Sequence, residues 1–197
     1  MRLILASASP RRAELLTAAG YQFEVHPVDV DERLQPGELP AAYVHRLSVE
    51  KSARALEELT VGDGYILLAA DTAVVVGNQT LGKPRDAEDA ARMLRLLSGR
   101  THRVLTGVSA RSAALDLTLV ETTTVAFVQL SEEQIAWYVA SGEGYDKAGA
   151  YGIQGLASRF ISRIEGSYSN VVGLPIAAVD ALIQRLSRPS RVLASGG

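Results

Sequence analysis

The fold is decided by one stretch of sequence, Tyr65-Ile66-Leu67-Leu68-Ala69-Ala70-Asp71-Thr72. An unbroken apolar run of this length is typical of a strand that is buried on both faces. Asp71 follows directly, at the carboxyl end of the run, where open α/β sheets bind their ligands. The residues from Thr72 to Val76 can continue the strand as far as a turn at Gly77-Asn78. The stretch therefore predicts a central strand with an acidic residue at its ligand-binding end.

Helices and strands alternate before this strand, and strands become frequent after it. Leu3–Ala6 has the pattern of a short buried strand, and Ser9 is a suitable N-cap for a helix with Pro10 in its first turn. The remaining elements are a helix from near Pro40, a helix capped by Asp86, strands at 102–111, 115–129 and 160–164, a helix after the Ser131-x-x-Gln134 capping box and a helix from Pro175. This order predicts an α/β fold with a mixed, partly antiparallel sheet flanked by helices. We expect one domain over residues 1–188 and a flexible tail over 189–197.

Composition and charge exclude several classes of protein. The 197 residues include no cysteine, which excludes disulfides, thiolate metal sites and a cysteine nucleophile. The formal net charge of −2 argues against binding to nucleic acid through bulk positive charge, and 6% aromatic residues disfavour a single-strand binder. Pro10-Arg11-Arg12 interrupts the apolar N-terminus too early for a signal peptide, and no stretch approaches the ~20 apolar residues of a membrane span. We expect a cytoplasmic protein without nucleic-acid or membrane partners.

The first candidate site is Ser7-Ala8-Ser9-Pro10-Arg11-Arg12, between the first strand and the first helix. Free N–H groups and the helix dipole favour an anion at such a place. The two guanidinium groups add bidentate phosphate donors. A bound phosphate chain would explain two cations at a helix end that disfavours positive charge, and a solvated pair of arginines explains them equally well.

Two further segments carry groups that phosphate chemistry uses. Asp71 could hold Mg²⁺ against phosphate oxygens or deprotonate an attacking water, although a carboxylate that caps a turn is a slightly better explanation when it is taken alone. Lys83, in the turn Gly82-Lys83-Pro84, and Lys51, on the second helix, are suitable point charges for phosphate. Taken alone, each is more simply an exposed lysine.

The glycine-rich segment 142–155 is a candidate for close contact with a ligand. Its glycines permit tight backbone approach, its tyrosines could stack on a base, and the Gln154 amide could bond a pyrimidine edge. A flexible loop is the alternative. Glu165-Gly166-Ser167 is best explained as a turn, and three histidines lack metal-ligand spacing and are interpreted as structural or surface residues: His26, His45 and His102.

Taken together and in order, these segments resemble the Maf family of nucleoside triphosphate pyrophosphatases. The matching segments are 7–12, 70–72, 82–84, 146–155 and 165–167, and the resemblance runs from about Leu3 to Leu186. It implies an α/β fold around a long mixed sheet, a cleft between two lobes and a homodimer. It also implies hydrolysis of a nucleoside triphosphate to the monophosphate and pyrophosphate with a divalent metal, Mg²⁺ or Mn²⁺.

The same resemblance implies a role for individual residues. Asp71 would be the proton acceptor that activates water for attack on the α-phosphorus, with Glu32 as a second carboxylate, and both would hold the metal. Phosphate would be bound by four cations, with two serines beside them: Arg11, Arg12, Lys51, Lys83, Ser7 and Ser9. The substrate would be selected by Arg11, Thr72 and Gln154.

The substrate branch is indicated by residues 148–155, which resemble the branch that acts on dTTP and UTP. Modified pyrimidine nucleotides such as pseudo-UTP and 5-methyl-UTP are consistent with it. The Gln154 amide carries a donor and an acceptor that match O4 and N3–H of uracil or thymine, a pattern that cytosine reverses. Two alternatives stay open: the branch that acts on 7-methyl-GTP, and a nucleotide-binding regulator of cell division and septum formation without turnover.

Overall fold

The computed structural model describes residues 1–60, 62 and 64–187. The strands are β1 (Arg2–Ala6), β2 (Glu24–Val25), β3 (Tyr65–Val76), β4 (Gln79–Leu81), β5 (Thr101–Arg111), β6 (Asp116–Phe127) and β7 (Ile161–Glu165). The helices are α1 (Pro10–Ala18), α2 (Pro40–Glu58), α3 (Ala87–Leu97), α4 (Glu132–Ala140), α5 (Tyr168–Val172) and α6 (Ile176–Ser187), with 3₁₀ turns at Ala148–Ala150 and Leu156–Phe160.

The strands form one mixed sheet in the order β2-β1-β3-β5-β6-β7, and β4 pairs with β3. Strand β1 is parallel to β2 and β3, whereas the other pairs are antiparallel. Side chains of β3 alternate between two apolar layers: Ile66 and Leu68 pack towards α1 and α6, while Leu67 and Ala69 pack towards α2. The predicted α/β fold with a mixed, partly antiparallel sheet is therefore confirmed.

Helix α2 lies very close to the sheet where it crosses β5. A Cβ on Gly107 would come within 2.1 Å of the Val44 carbonyl oxygen, so only glycine allows this approach. The close contact brings the polar face of α2 to the middle of β3, since Gly107 pairs with Asp71 across the sheet.

The predicted continuation of the strand to the Gly77-Asn78 turn is confirmed, so Asp71 lies within β3 and not at its carboxyl end. Strand β3 continues through Asp71 to Val76 because β5 pairs with it without a break from Leu67 to Val75. It is β1 that ends here, with Ala6 opposite Ala69, while pairing with β4 begins only at Val74. Residues 70–73 of β3 therefore have an edge without a partner strand in the described chain, and this gap positions the site.

The predicted helix caps and short elements agree with the structure only in part. The capping box of Ser131 and Gln134 is present, but the Ser9 side chain caps no N–H although Ser9 occupies the N-cap position of α1. Short β2, β4 and α5 were not predicted, because two- to five-residue elements give little periodicity.

No helix of the described residues is long and apolar enough to cross a membrane. The expected tail, 189–197, lies outside the described residues, and the single domain over 1–188 stays a prediction.

Candidate active site

A cleft of about 540 Å³ opens where β1 ends and the edge of β3 is free. Its size falls in the usual range for small-molecule sites, about 300–1,000 Å³. All ten residues that the sequence analysis singled out as site residues line it: Ser7, Ser9, Arg11, Arg12, Glu32, Lys51, Asp71, Thr72, Lys83 and Gln154. The structure thus brings together groups that are up to 147 positions apart, Ser7 and Gln154 being the most distant.

Lys51 joins the two predicted carboxylates. Its Nζ lies 2.7 Å from Asp71 Oδ1 and 2.6 Å from Glu32 Oε1. The side chains of Lys51 and Asp71 are 11% and 10% exposed, whereas that of Glu32 is 52% exposed. Lys51 reaches Asp71 because odd-numbered residues of β3 face α2. The interpretation of Lys51 as a simple exposed lysine is therefore wrong.

The two carboxylates differ in electrostatic environment. Burial raises the pKa of Asp71 above its usual value, and the charges of Lys51 and Arg12 only partly offset this. Burial also acts on the Glu32 carboxyl, but the hydrogen bond from Lys51 and the charges of Lys51, Lys83 and Arg12 leave its pKa lowered. Asp71 is therefore the better proton acceptor, because a raised pKa increases its affinity for a proton.

The carboxylates also suit a hard divalent cation. Both bind the same ammonium group, so they lie within reach of one ion, and each has a second oxygen that accepts no hydrogen bond among the described residues. The described residues, those of this cleft included, contain no group of three or more His, Cys, Asp or Glu that could hold a metal, so the two carboxylates would need further ligands from substrate or water. Mg²⁺ in phosphate-binding sites commonly uses one or two carboxylates together with substrate phosphates and water. Asp71 and Glu32 fit that donor set.

Arg12 forms the floor of the cleft and is held from several sides. Its Nε donates to the Gly173 carbonyl at 2.8 Å, and Nη1 donates to the Ala70 carbonyl at 2.7 Å and to Ser7 Oγ at 3.1 Å. Nη2 donates to Thr72 Oγ1 at 3.1 Å. The Ala70 carbonyl belongs to the free edge of β3, so Arg12 satisfies a backbone acceptor that a partner strand would otherwise take.

Thr72 and Arg11 both line the cleft but have different partners. The Thr72 hydroxyl bonds Arg12 and Thr106 Oγ1, the latter at 3.0 Å. Arg11 projects from the first turn of α1 and pairs with Asp146 at 2.8 Å. Arg11 therefore links the start of α1 to the glycine-rich segment, and its side chain stays 23% exposed.

The remaining predicted residues of the cleft differ in exposure. Ser7 is buried, and its Oγ accepts the Ser9 N–H at 3.2 Å, which shapes the turn into α1. Lys83 is exposed on the loop after β4, which is tied to the glycine-rich segment by the Gly149 N–H donating to the Gly82 carbonyl at 3.0 Å. Gln154 is exposed and lines the cleft from the glycine-rich segment.

Sequence reasoning missed several residues of the cleft wall. Glu143 and Lys147 line it, and Tyr43 from α2 donates from its hydroxyl to the Glu32 carbonyl at 2.9 Å. Lys147 and Asp146 lie within the matched segment 146–155, so that match was an available signal for them. Of the two tyrosines of the glycine-rich segment, Tyr151 lines this cleft and Tyr145 lies in a separate depression beside α3 and α4.

Other candidates lie away from the cleft. Gly166 and Ser167 form the turn into α5, as predicted, and Ser167 Oγ caps it by accepting the Asn170 N–H. His102 is buried against Phe127 and its Nε2 lies 2.8 Å from the Tyr151 hydroxyl. His26 and His45 bond side chains at the surface, which confirms the structural interpretation of the histidines.

Comparison with known proteins is consistent with this geometry. A family model described as Maf-like protein matches residues 2–186. The chain belongs to the Maf family. A dTTP/UTP pyrophosphatase of Anaeromyxobacter dehalogenans (strain 2CP-C) is 54% identical over 192 residues, which cover 95% of each chain. A dTTP/UTP pyrophosphatase of Vibrio cholerae is 50% identical over 184 residues, 93% of this chain and 97% of the relative.

The fold of this Maf protein also resembles a solved structure of remote sequence. The Staphylococcus aureus Ham1 protein superposes with a TM-score of 0.54 at 14% identity, covering 94% of this chain and 99% of the other. At that identity the likeness concerns the fold alone. The family membership implied by the sequence motifs is thus confirmed by the match across nearly the whole chain.

Proposed function

We propose that this Maf protein is a nucleoside triphosphate pyrophosphatase that hydrolyses dTTP and UTP to the monophosphate and pyrophosphate. The observation that carries the proposal is the convergence of Asp71, Glu32 and the four predicted cations on one cleft. The relatives named dTTP/UTP pyrophosphatase at 50–54% identity support both the reaction and the choice of thymine and uracil nucleotides as substrates.

Each wall of the cleft has its own part in the proposed reaction. Arg11, Lys51 and Lys83 would bind the triphosphate and stabilise the negative charge that develops on the departing pyrophosphate. Arg12 would add its positive charge from the floor of the cleft. Asp71, with its raised pKa, would accept the proton of the water that attacks the α-phosphorus. A divalent metal, Mg²⁺ or Mn²⁺ held by Asp71 and Glu32, would supply Lewis-acid neutralisation of phosphate charge. Its presence is part of the proposal.

Gln154 would select the base. Its side chain is exposed in the cleft, and its amide accepts no hydrogen bond from, and donates none to, other described residues, so it is free to bond a base. Thr72 is engaged with Arg12, so its part in selection would be to hold the floor beneath the base. The modified pyrimidines pseudo-UTP and 5-methyl-UTP keep the O4 and N3–H edge that Gln154 would bond. We also propose that the protein is a homodimer in the cytoplasm.

The proposal is tested by pyrophosphate release from dTTP, UTP, CTP and 7-methyl-GTP with Mg²⁺ or Mn²⁺. We expect release from dTTP and UTP, and a fall of about 10²–10⁴ in kcat for Asp71→Asn, the usual contribution of a general base. Glu14→Gln removes an exposed carboxylate of α1 outside the cleft and should retain wild-type turnover. Preference for 7-methyl-GTP would refute the choice of base, and nucleotide binding without pyrophosphate release would support the regulator instead.

A further inference from the structure

The turn that carries Gln154 is held at both of its ends. The Gly152 N–H donates to the Tyr138 hydroxyl at 3.1 Å, and the Leu156 N–H donates to Glu143 Oε2 at 2.8 Å. Gln154 stands midway between these two anchor points. The conformation of the turn therefore depends on two side chains that are outside the turn itself.

The two anchors are joined to each other. The Tyr138 hydroxyl donates to Glu143 Oε1 at 2.9 Å. Tyr138 is 1% exposed on α4, and its ring packs edge-on against Phe160 with 5.4 Å between centroids. The burial of the ring fixes the hydroxyl, the hydroxyl fixes the carboxylate, and the carboxylate holds the far end of the turn.

The backbone of the turn wraps directly onto this carboxylate. A Cβ on Gly155 would lie 2.2 Å from Glu143 Oε2, and a Cβ on Gly152 would lie 2.7 Å from Lys147 Cε. A side chain at position 155 would therefore have to displace the Glu143 carboxylate from its hydrogen bonds, whereas glycine leaves it in place. Since the Gln154 amide has no partner among the described residues, the backbone of the turn sets the position from which this side chain reaches into the cleft.

We propose that Tyr138 and Glu143 are positioning residues that fix the turn from which Gln154 reaches the pyrimidine base. The inference rests on the proposed function, and it adds residues that do not touch the base. An amide distinguishes thymine from cytosine only while its donor and acceptor are held in one orientation, because a rotated amide offers the opposite pattern. A loosened turn would therefore lose discrimination before it loses catalysis.

Tyr138→Phe tests the inference with the loss of one oxygen atom. We expect the ratio of kcat/KM for dTTP to that for CTP to fall about fivefold or more, in line with the loss of one buried hydrogen-bond constraint. The kcat for dTTP should stay within about threefold of wild type, because Tyr138 makes no hydrogen bond to Asp71 or Lys51. Amide hydrogen exchange at Gly152 and Leu156 should accelerate, as their acceptors weaken.

Further variants separate positioning from general damage. Glu143→Gln keeps one acceptor oxygen, so its loss of discrimination should lie between wild type and Glu143→Ala. Glu133→Gln, an exposed change on the same helix as Tyr138, should alter neither the ratio nor the exchange. In a Gln154→Ala background, Tyr138→Phe should no longer change the ratio, because the group it positions is absent.

The outcomes distinguish the inference from the proposed function. If the wild type prefers dTTP over CTP and Tyr138→Phe keeps that ratio, the inference fails and the proposed function stands. An equal further loss of discrimination in the Gln154→Ala background also overturns the inference, since the effect would then not pass through Gln154. A wild type that releases no pyrophosphate from dTTP refutes the proposed function and the selection role with it.

Discussion

Replacing Lys51 by methionine should destabilise the protein through Asp71. Methionine keeps most of the length of the side chain but removes the ammonium group that lies 2.7 Å from Asp71 Oδ1. Loss of one partner of a buried ion pair costs about 3–5 kcal/mol. We expect about 3 kcal/mol, the lower end, because the charge of Arg12 also acts on Asp71 and remains. The bond to half-exposed Glu32 adds little, since exposed pairs are worth about 0–1 kcal/mol.

The assay is thermal and urea unfolding of wild type and Lys51→Met. For a chain of this size about 1 kcal/mol shifts Tm by roughly 2–4 °C, so Tm should fall by about 6–12 °C near pH 7. Lys83→Met is the matched control, because Lys83 is exposed and has no ion pair among the described residues. It should change the free energy of unfolding by no more than about 0.5 kcal/mol.

The pH dependence gives the sharper test. Burial already raises the pKa of Asp71, and loss of Lys51 raises it further. A carboxyl whose pKa is higher in the folded than in the unfolded state binds more protons when folded, so its folded form gains stability as the pH falls. The deficit of Lys51→Met should therefore shrink between about pH 7 and pH 4.5. Equal stability near pH 7, or a deficit that grows on acidification, would refute this account of Lys51.

Three further changes test other parts of the structure. Arg12→Lys should lower the free energy of unfolding by about 2–4 kcal/mol, measured by urea unfolding, because an ammonium group cannot reach all the acceptors of the guanidinium. Unchanged stability would contradict the role of Arg12 in holding the floor of the cleft. Gly107→Ala should lower the free energy of unfolding by several kcal/mol and lower Tm, since its Cβ would lie 2.1 Å from the Val44 carbonyl oxygen. An unchanged Tm would mean that α2 can move away from the sheet. Burial lowers the pKa of His102 to about 4, so stability should decline as the pH falls from about 6.5 towards 4, and His102→Phe should flatten that slope in unfolding followed against pH.

The order of the longer elements could be predicted from the sequence. The apolar run before Asp71, the Ser131–Gln134 capping box and the alternation in β6 each depend on neighbouring residues only. Strands β2 and β4 and helix α5 escaped prediction because elements of two to five residues give little periodicity, and β2 forms only by pairing with β1, where Glu24 lies opposite Ile4. Family resemblance supplied the roles of the site residues, which local pattern by itself left undecided.

Tertiary structure decided where the cleft lies and how its charges are compensated. No local signal shows that β1 ends two residues short of Asp71, which leaves a free edge of β3 for Arg12 to bond. Nor does spacing show that Lys51 lies between Asp71 and Glu32. Sequence determines which segments form helices and strands because periodic burial is a property of neighbours. The length of overlap between strands and the pairing of distant charges depend on packing of the whole chain, and these place the acid, the cations and the Gln154 turn around one cleft.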